Sequence, residues 1–119
     1  MHDGILSYFT PVGTIHVDSI DMSLQTRGLW TSAIATVLIV DADGVPVEGA
    51  TVSGHWSGAT SDSDSGVTGA DGRVSLESDG MKDPPSGTTF TFTVDSVVLS
   101  GWTYEGGSNL ETSDSIAVP

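Results

Sequence analysis

Apolar and polar residues alternate along most of this chain, with the period of two residues that is typical of β-strands. The longest alternating stretch is AIATVLIV at 33–40, which places alanine, valine and isoleucine on one face. The DADGVP segment that follows supplies the Asp, Gly and Pro residues that turns favour. Alternation resumes at 52–56 and ends on a tryptophan. The pattern therefore predicts a hairpin within an all-β sandwich.

Two shifts in the phase of alternation predict irregular strands. Residues 14–26 alternate, but the phase changes at Asp18 and Ser19, which indicates a β-bulge or a bend between two short strands. Residues 88–94, TTFTFTV, form the most regular alternation in the chain, and the slip at Asp95 predicts a second bulge.

The complete pattern predicts seven to nine strands in two antiparallel sheets, with essentially no helix, because no window has the apolar spacing of an amphipathic helix. The segments GATSDSDSG at 58–66 and DGMKDPPSG at 79–87 are predicted to be exposed loops. The apolar positions of the strands predict a single core between the sheets, formed by Val37, Ile39, Val52, Trp56, Val74, Leu76, Phe90, Phe92 and Val94.

The N-terminal residues 1–13 are predicted to be an apolar extension of a sandwich domain at 14–119. The outer face of the 33–40 strand is also apolar, and such a face is rarely left bare. Either the extension packs on its own sandwich or it adds a strand to a neighbouring molecule. The residues predicted to form this contact are Ile5, Leu6, Tyr8, Phe9, Ile34, Leu38 and Val40.

Charge restricts the classes of partner. Sixteen acidic residues against three basic ones give a formal net charge of −13, which repels nucleic acid and anionic lipid. No stretch approaches the ~20 apolar residues of a membrane-spanning helix, so membrane insertion is not expected. The chain has no cysteine, and its first residues lack the basic start and apolar core of a signal peptide.

Catalytic and metal-binding patterns are weak. The sequence GHWSG at 54–58 lacks the G-x-S-x-G spacing of a nucleophile elbow, so no enzymatic activity is expected. The acidic loop that begins at Asp62 has arginine at its twelfth position, where an EF-hand needs a bidentate glutamate. A looser calcium site at Asp41 and Asp43 is left open, although both residues also suit a turn. No other cofactor is expected.

The three tryptophans suggest a further ligand class. Trp56 is predicted to belong to the core. If Trp30 and Trp102 were exposed on one face, their flat rings could form a platform for a polysaccharide.

Two motifs resemble the bacterial immunoglobulin-like modules of the intimin and invasin type, and related modules appended to secreted bacterial and archaeal proteins. One is DADGVPVEGATV at 41–52, and the other is TGADGRV at 68–74. The resemblance implies an immunoglobulin-like β-sandwich. It also implies a non-catalytic extracellular or cell-surface module with a structural, spacer or adhesive role, whose partners are other domains of the same protein. The alternatives are a self-assembling fibre or pilus-like subunit that uses its N-terminal segment for strand complementation, and a carbohydrate-binding module.

Overall fold

The computed structural model describes residues 13–119, and these residues form nine β-strands. Their bounds are β1 Gly13–Arg27, β2 Trp30–Asp41, β3 Thr51–Gly58, β4 Ser63–Val67, β5 Arg73–Glu77, β6 Met81–Lys82, β7 Thr89–Val98, β8 Trp102–Tyr104 and β9 Ser113–Ala117. A single 3-10 turn, Gly106–Ser108, is the one helical element of this part of the chain. No helix within residues 13–119 has the length and apolar character that crossing a membrane requires.

The strands form two sheets that pack face to face. One sheet has the order β5-β2-β1-β8, with β6 also paired to β2, and the other has the order β4-β3-β7-β9. The prediction of an all-β sandwich of two sheets with seven to nine strands is confirmed. The predicted hairpin of the 33–40 and 52–56 strands is wrong, because β2 and β3 lie in different sheets and the connection between them crosses from one sheet to the other. One pairing departs from the expected antiparallel sheets, because β1 and β8 run parallel over three residue pairs. The predicted extension at 1–13 lies outside the described residues, except that Gly13 begins β1.

The core lies between the sheets. Eight of the nine predicted core residues are buried there, and Val74 packs against them while partly exposed. Trp56 is 1% exposed, and its ring lies 4.9 Å from that of Phe92, at an interplanar angle of 54°. Gly54 makes this packing possible, because a Cβ at that position would stand 2.4 Å from both Cζ of Phe92 and the carbonyl oxygen of Thr93.

Both predicted bulges are present. In β1 the pairing with β2 shifts between Val17 and Ser19, and the two segments form one 15-residue strand rather than two short ones. In the other sheet, the pairing of β3 with β7 shifts between Ser53 and Gly54, opposite Asp95. A bulge adds one residue to one strand, which is what the phase shifts in the sequence indicated.

Side chains from the segment after the 3-10 turn hydrogen-bond to the backbone of β1 beside its bulge. The N–H of Val17 donates to Oδ1 of Asn109 at 2.8 Å, and the N–H of Ile20 donates to Oε1 of Glu111. The N–H of Leu110 in turn donates to the carbonyl of Val17 at 3.0 Å. This segment therefore covers the edge of β1 where β8 has ended and joins one sheet to the other.

The two predicted loops are partly wrong, since each contains a strand. Ser63–Val67 is β4, and Met81–Lys82 is β6. Both occur where the sequence has few apolar residues, because a strand at the edge of a sheet can pair through its backbone without burying its side chains. Gly66 is needed in β4 because a Cβ there would stand 2.7 Å from Cγ2 of Val74 on the opposite sheet.

The buried indole of Trp56 gives a direct test of the fold. We expect Trp56→Ala to lower the free energy of unfolding by about 3–5 kcal/mol, because removal of a large buried ring leaves a cavity. Trp30→Ala is the matched control: that side chain is 53% exposed, and a surface substitution changes stability by only about 0.5 kcal/mol. Urea denaturation of the two variants measures both values. Equal losses would contradict the assignment of Trp56 to the core.

Candidate functional site

The acids predicted to bind calcium organise a turn. Oδ1 of Asp41 accepts the backbone N–H groups of Asp43 and Val45, each at 2.9 Å. Gly44 has a φ of +83°, which glycine adopts without strain. Within residues 13–119, no group of three or more histidine and acidic side chains is placed to hold a metal ion. Turn formation accounts for the carboxylate of Asp41, whereas Asp43 takes part in the turn through its backbone N–H, and calcium binding here stays a prediction.

The apolar outer face of β2 is partly covered by the domain itself. Ile34 and Leu38 are half-buried, whereas Val40 is only 3% exposed and forms an isolated backbone bridge with Pro46. The other four residues of the predicted partner-binding set, Ile5, Leu6, Tyr8 and Phe9, lie outside the described residues. The apolar area that this face offers within residues 13–119 is therefore centred on Ile34 and Leu38.

The tryptophans do not share a platform. Trp102 pairs with Gly13 at the first residue of β1, and Trp30 pairs with Arg27 at the last. A strand of 15 residues is about 45 Å long, so the two rings lie at opposite ends of the sandwich. The predicted joint platform is wrong. Trp102 is half-buried against the core, and Trp30 alone presents a largely exposed ring.

A polar cleft of about 330 Å³ opens beside Trp30, and we call it the Trp30 cleft. Its position follows from strand register. Ala33 in β2 faces the core, and side chains alternate along a strand. Ser32 and Trp30, one and three residues before it, therefore point to the outer side of the sheet. Arg27 is directly opposite Trp30, and Gln25 is directly opposite Ser32. The other residues that line the cleft are Thr31, Glu77, Ser78, Asp79 and Gly80.

A hydrogen-bonded network holds the polar wall of the cleft. Oε2 of Glu77 accepts the hydroxyl of Ser32 at 2.6 Å and a guanidinium N–H of Arg27 at 3.2 Å. The Ser32 residue is 7% exposed, while the side chains of Arg27 and Glu77 are 66% and 37% exposed. An ion pair this exposed adds little to stability. It places a carboxylate and a guanidinium side by side on the wall of the cleft, with the carboxylate also held by the buried hydroxyl of Ser32.

Gly80 leaves room for the indole. A Cβ at this position would stand 3.3 Å from Cε3 of Trp30 and 3.7 Å from its Cβ. The backbone of Gly80 therefore supports one part of the ring while much of the ring area stays open to solvent. Lys82 pairs with Trp30 in β6, so two of the three basic residues of the chain lie at this end of the sandwich.

A second arrangement occurs on the outer face of the other sheet. Nδ1 of His55 lies 2.9 and 3.0 Å from the two carboxylate oxygens of Asp95, which the β7 bulge brings beside it. Ser63 is directly opposite His55 in β4. A histidine held by a carboxylate occurs in catalytic triads, but within residues 13–119 no hydroxyl is hydrogen-bonded to this ring. The pair links two strands on a surface that is otherwise rich in Ser and Thr.

Comparisons with protein-family models, with curated proteins and with solved structures returned no match to the chain. Sequence reasoning missed two pairs, because their members are far apart in the chain. Arg27 contacts Glu77 across 50 positions, and Asp95 contacts His55 across 40. Only the exposed Trp30 at the start of a strand pointed to the cleft from the sequence.

Thermal melts separate charge screening from calcium binding at Asp41 and Asp43. We expect the melting temperature to rise with NaCl, because a net charge of −13 repels itself and salt screens exposed charges beyond about 8–10 Å. The calcium prediction requires a further rise in CaCl2 at the same ionic strength. Asp114→Asn serves as the control, because it removes one acidic charge in β9 and leaves Asp41 and Asp43 unchanged. Equal melting temperatures in the two salts would rule out the calcium site.

Proposed function

We propose that this chain is a non-catalytic immunoglobulin-like module of a secreted or cell-surface protein, with a structural, spacer or adhesive role. The observation that carries the proposal is the position of the two points where the chain enters and leaves the sandwich. Modules that join end to end along a fibre or stalk need these points at opposite ends, so that neighbours follow one another in series.

Strand register places the entry and exit points apart. The entry point is taken as the start of β1 at Gly13, the first described residue, which pairs with Trp102 just after the end of β7. The exit point follows β9 at Val118, whose N–H donates to the carbonyl of Thr88 at 2.8 Å, just before β7 begins. Because β7 has ten residues, about 30 Å of strand separates the two points along the sandwich. The sandwich is also elongated, with principal extents of 66 × 22 × 20 Å.

Two motifs resemble modules of the intimin and invasin type, and the contact between these motifs supports the proposal. The N–H of Ile39, at the end of the strand before the DADG turn, donates to the carbonyl of Gly72 in the TGADG turn at 2.8 Å. Gly72 has a φ of +75°, and a Cβ there would stand 2.8 Å from Cβ of Pro46. The two motifs thus form one unit of packed turns, a structural role that explains their residues without any ligand.

An extracellular location fits the composition. The charge of −13 keeps the surface soluble and repels nucleic acid and anionic lipid headgroups, so the partners we propose are other domains or subunits of the same protein.

The pair of His55 and Asp95 has a structural role under this proposal, because it links β3 to β7. Hydrolysis of an activated ester that His55→Ala abolishes would overturn the proposed lack of catalysis.

Force spectroscopy tests the spacer role. With handles at the two ends of the chain, we expect one cooperative unfolding event and a gain in contour length on the order of 300 Å, since an extended residue adds about 3.3–3.6 Å. A spacer must bear load as a single folded unit. A module that lengthens gradually, without a distinct unfolding event, would contradict the proposal. Trp56→Ala serves as the comparison variant, because its weakened core should unfold at lower force.

Light scattering after size-exclusion chromatography tests the alternative of self-assembly through the N-terminal segment. The spacer role predicts a monomer both for the full chain and for a variant that lacks residues 1–12. Large species that the deletion abolishes would instead show strand complementation between copies. The deletion variant also reports on internal packing, because loss of a covering segment would lower solubility and melting temperature while the mass stays monomeric.

A further inference from the structure

We propose that the Trp30 cleft binds a neutral glycan, with one pyranose ring stacked on the indole of Trp30. This inference deepens the adhesive role in the proposed function and rests on the chain being a binding module rather than an enzyme. It concerns the single cleft at the free end of the β1–β2 hairpin and needs no contribution from Trp102.

The exposed indole is the first reason. Trp30 is 53% exposed although the domain has a core that already buries a tryptophan, so this ring is not needed to stabilise the fold. Flat aromatic rings offer large apolar contact area, and the axial C–H groups of a pyranose form a flat apolar face of matching size. Gly80, which lies beside the ring, adds no side chain there, and about half of the residue's surface stays open to solvent. A sugar ring can therefore reach the exposed part of the indole.

The polar wall is the second reason. Sugar hydroxyls are both donors and acceptors, and adjacent hydroxyls suit a carboxylate and a guanidinium that are held side by side. Glu77 and Arg27 are already held in this way, through the hydroxyl of Ser32 and through each other. Side chains ordered before binding lose less conformational entropy when the ligand arrives. The amide of Gln25 and the carboxylate of Asp79 line the same cleft and extend its capacity for hydrogen bonds.

Charge selects a neutral glycan over an acidic one. Glu77 and Asp79 line the cleft, with Arg27 as the single cation among its lining residues, and the whole chain carries −13. Lys82 is paired with Trp30 beside the cleft, so these local charges balance, and an anionic polysaccharide would be repelled by the long-range field of the whole chain. The volume of about 330 Å³ lies at the lower end of the range for small-molecule sites and suits one or two sugar rings rather than a folded protein, which needs about 800 Å² on each side.

Affinity electrophoresis of the full chain in native gels provides the test. The gels contain a soluble neutral β-glucan, a mannan or a xylan, and a polyuronate serves as the anionic counterpart. We expect at least one neutral polysaccharide to retard the protein and the polyuronate to leave it unretarded. Retardation by the polyuronate alone, or by none of the probes, would overturn the inference.

Substitutions at Trp30 separate stacking from general apolar contact. Trp30→Leu should weaken retardation at least about tenfold in apparent Kd, as is usual when an aromatic residue at the centre of a site is removed, whereas Trp30→Tyr keeps a flat ring and should retain most of the affinity. Glu77→Gln keeps the shape but weakens the pair with Arg27, so a smaller loss is expected. Leu29→Ala, in the same turn and 56% exposed, is the matched control and should bind as the unchanged chain does.

The outcomes distinguish this inference from the proposed function. Urea denaturation should show every variant to be as stable as the unchanged chain, so that lost retardation reports on binding. Equal retardation of the Trp30→Leu variant and the unchanged chain would overturn stacking on the indole. A monomer that unfolds cooperatively under force but binds no neutral polysaccharide would overturn the glycan site alone, whereas N-terminus-dependent oligomers would overturn the proposed spacer role.

Discussion

The contact between Trp56 and Phe92 is the interaction on which the sandwich depends. These two rings fill the space between the sheets, and they can do so only because Gly54 has no side chain where Phe92 lies. The β7 bulge at Asp95 lies beside this contact, and it changes which residues of β7 face inward. One glycine thus lets the Phe92 ring lie over the paired strands β3 and β7, and the outer strands β4 and β9 pair with these two.

The fold could be predicted from the sequence where side chains alternate between a solvent-exposed face and a buried face. The strands β2 and β3, the regular strand β7 and both bulges all leave a period-two pattern or a break in it, whereas the pattern did not show that β2 and β3 lie in different sheets. The strands β4 and β6 leave no such pattern, because they lie beside another strand and pair mainly through backbone groups. The parallel contact of β1 with β8 was also beyond prediction, since it depends on a turn of the chain between the sheets.

The candidate site was predictable only in part, for a related reason. Trp30 was recognisable as a tryptophan at the start of a strand, but its separation from Trp102 depends on which residues of β1 each one pairs with. The carboxylate that lines the cleft comes from 45 residues beyond Ser32, and the carboxylate beside His55 comes from 40 residues away. Local patterns carry no information on such pairs, whereas Asp41, which serves its own turn, was identified with the correct chemistry.

The segment from Asn109 to Glu111 makes the two edges of the sandwich unequal. On its side, hydrogen bonds to Val17 and Ile20 tie the sheets together across the edge. On the other side, β4 and β5 belong to different sheets and meet mainly through side-chain packing around Gly66, with one exposed hydrogen bond beside them, from the N–H of Asp79 to Oδ2 of Asp62 at 3.0 Å. Local opening should therefore begin between β4 and β5, and amide hydrogens there would exchange with solvent while those of β1 remain protected. The edge with β4 and β5 is thus the side where we expect the sandwich to open, and the edge at the β1 bulge is the side that holds the sheets together.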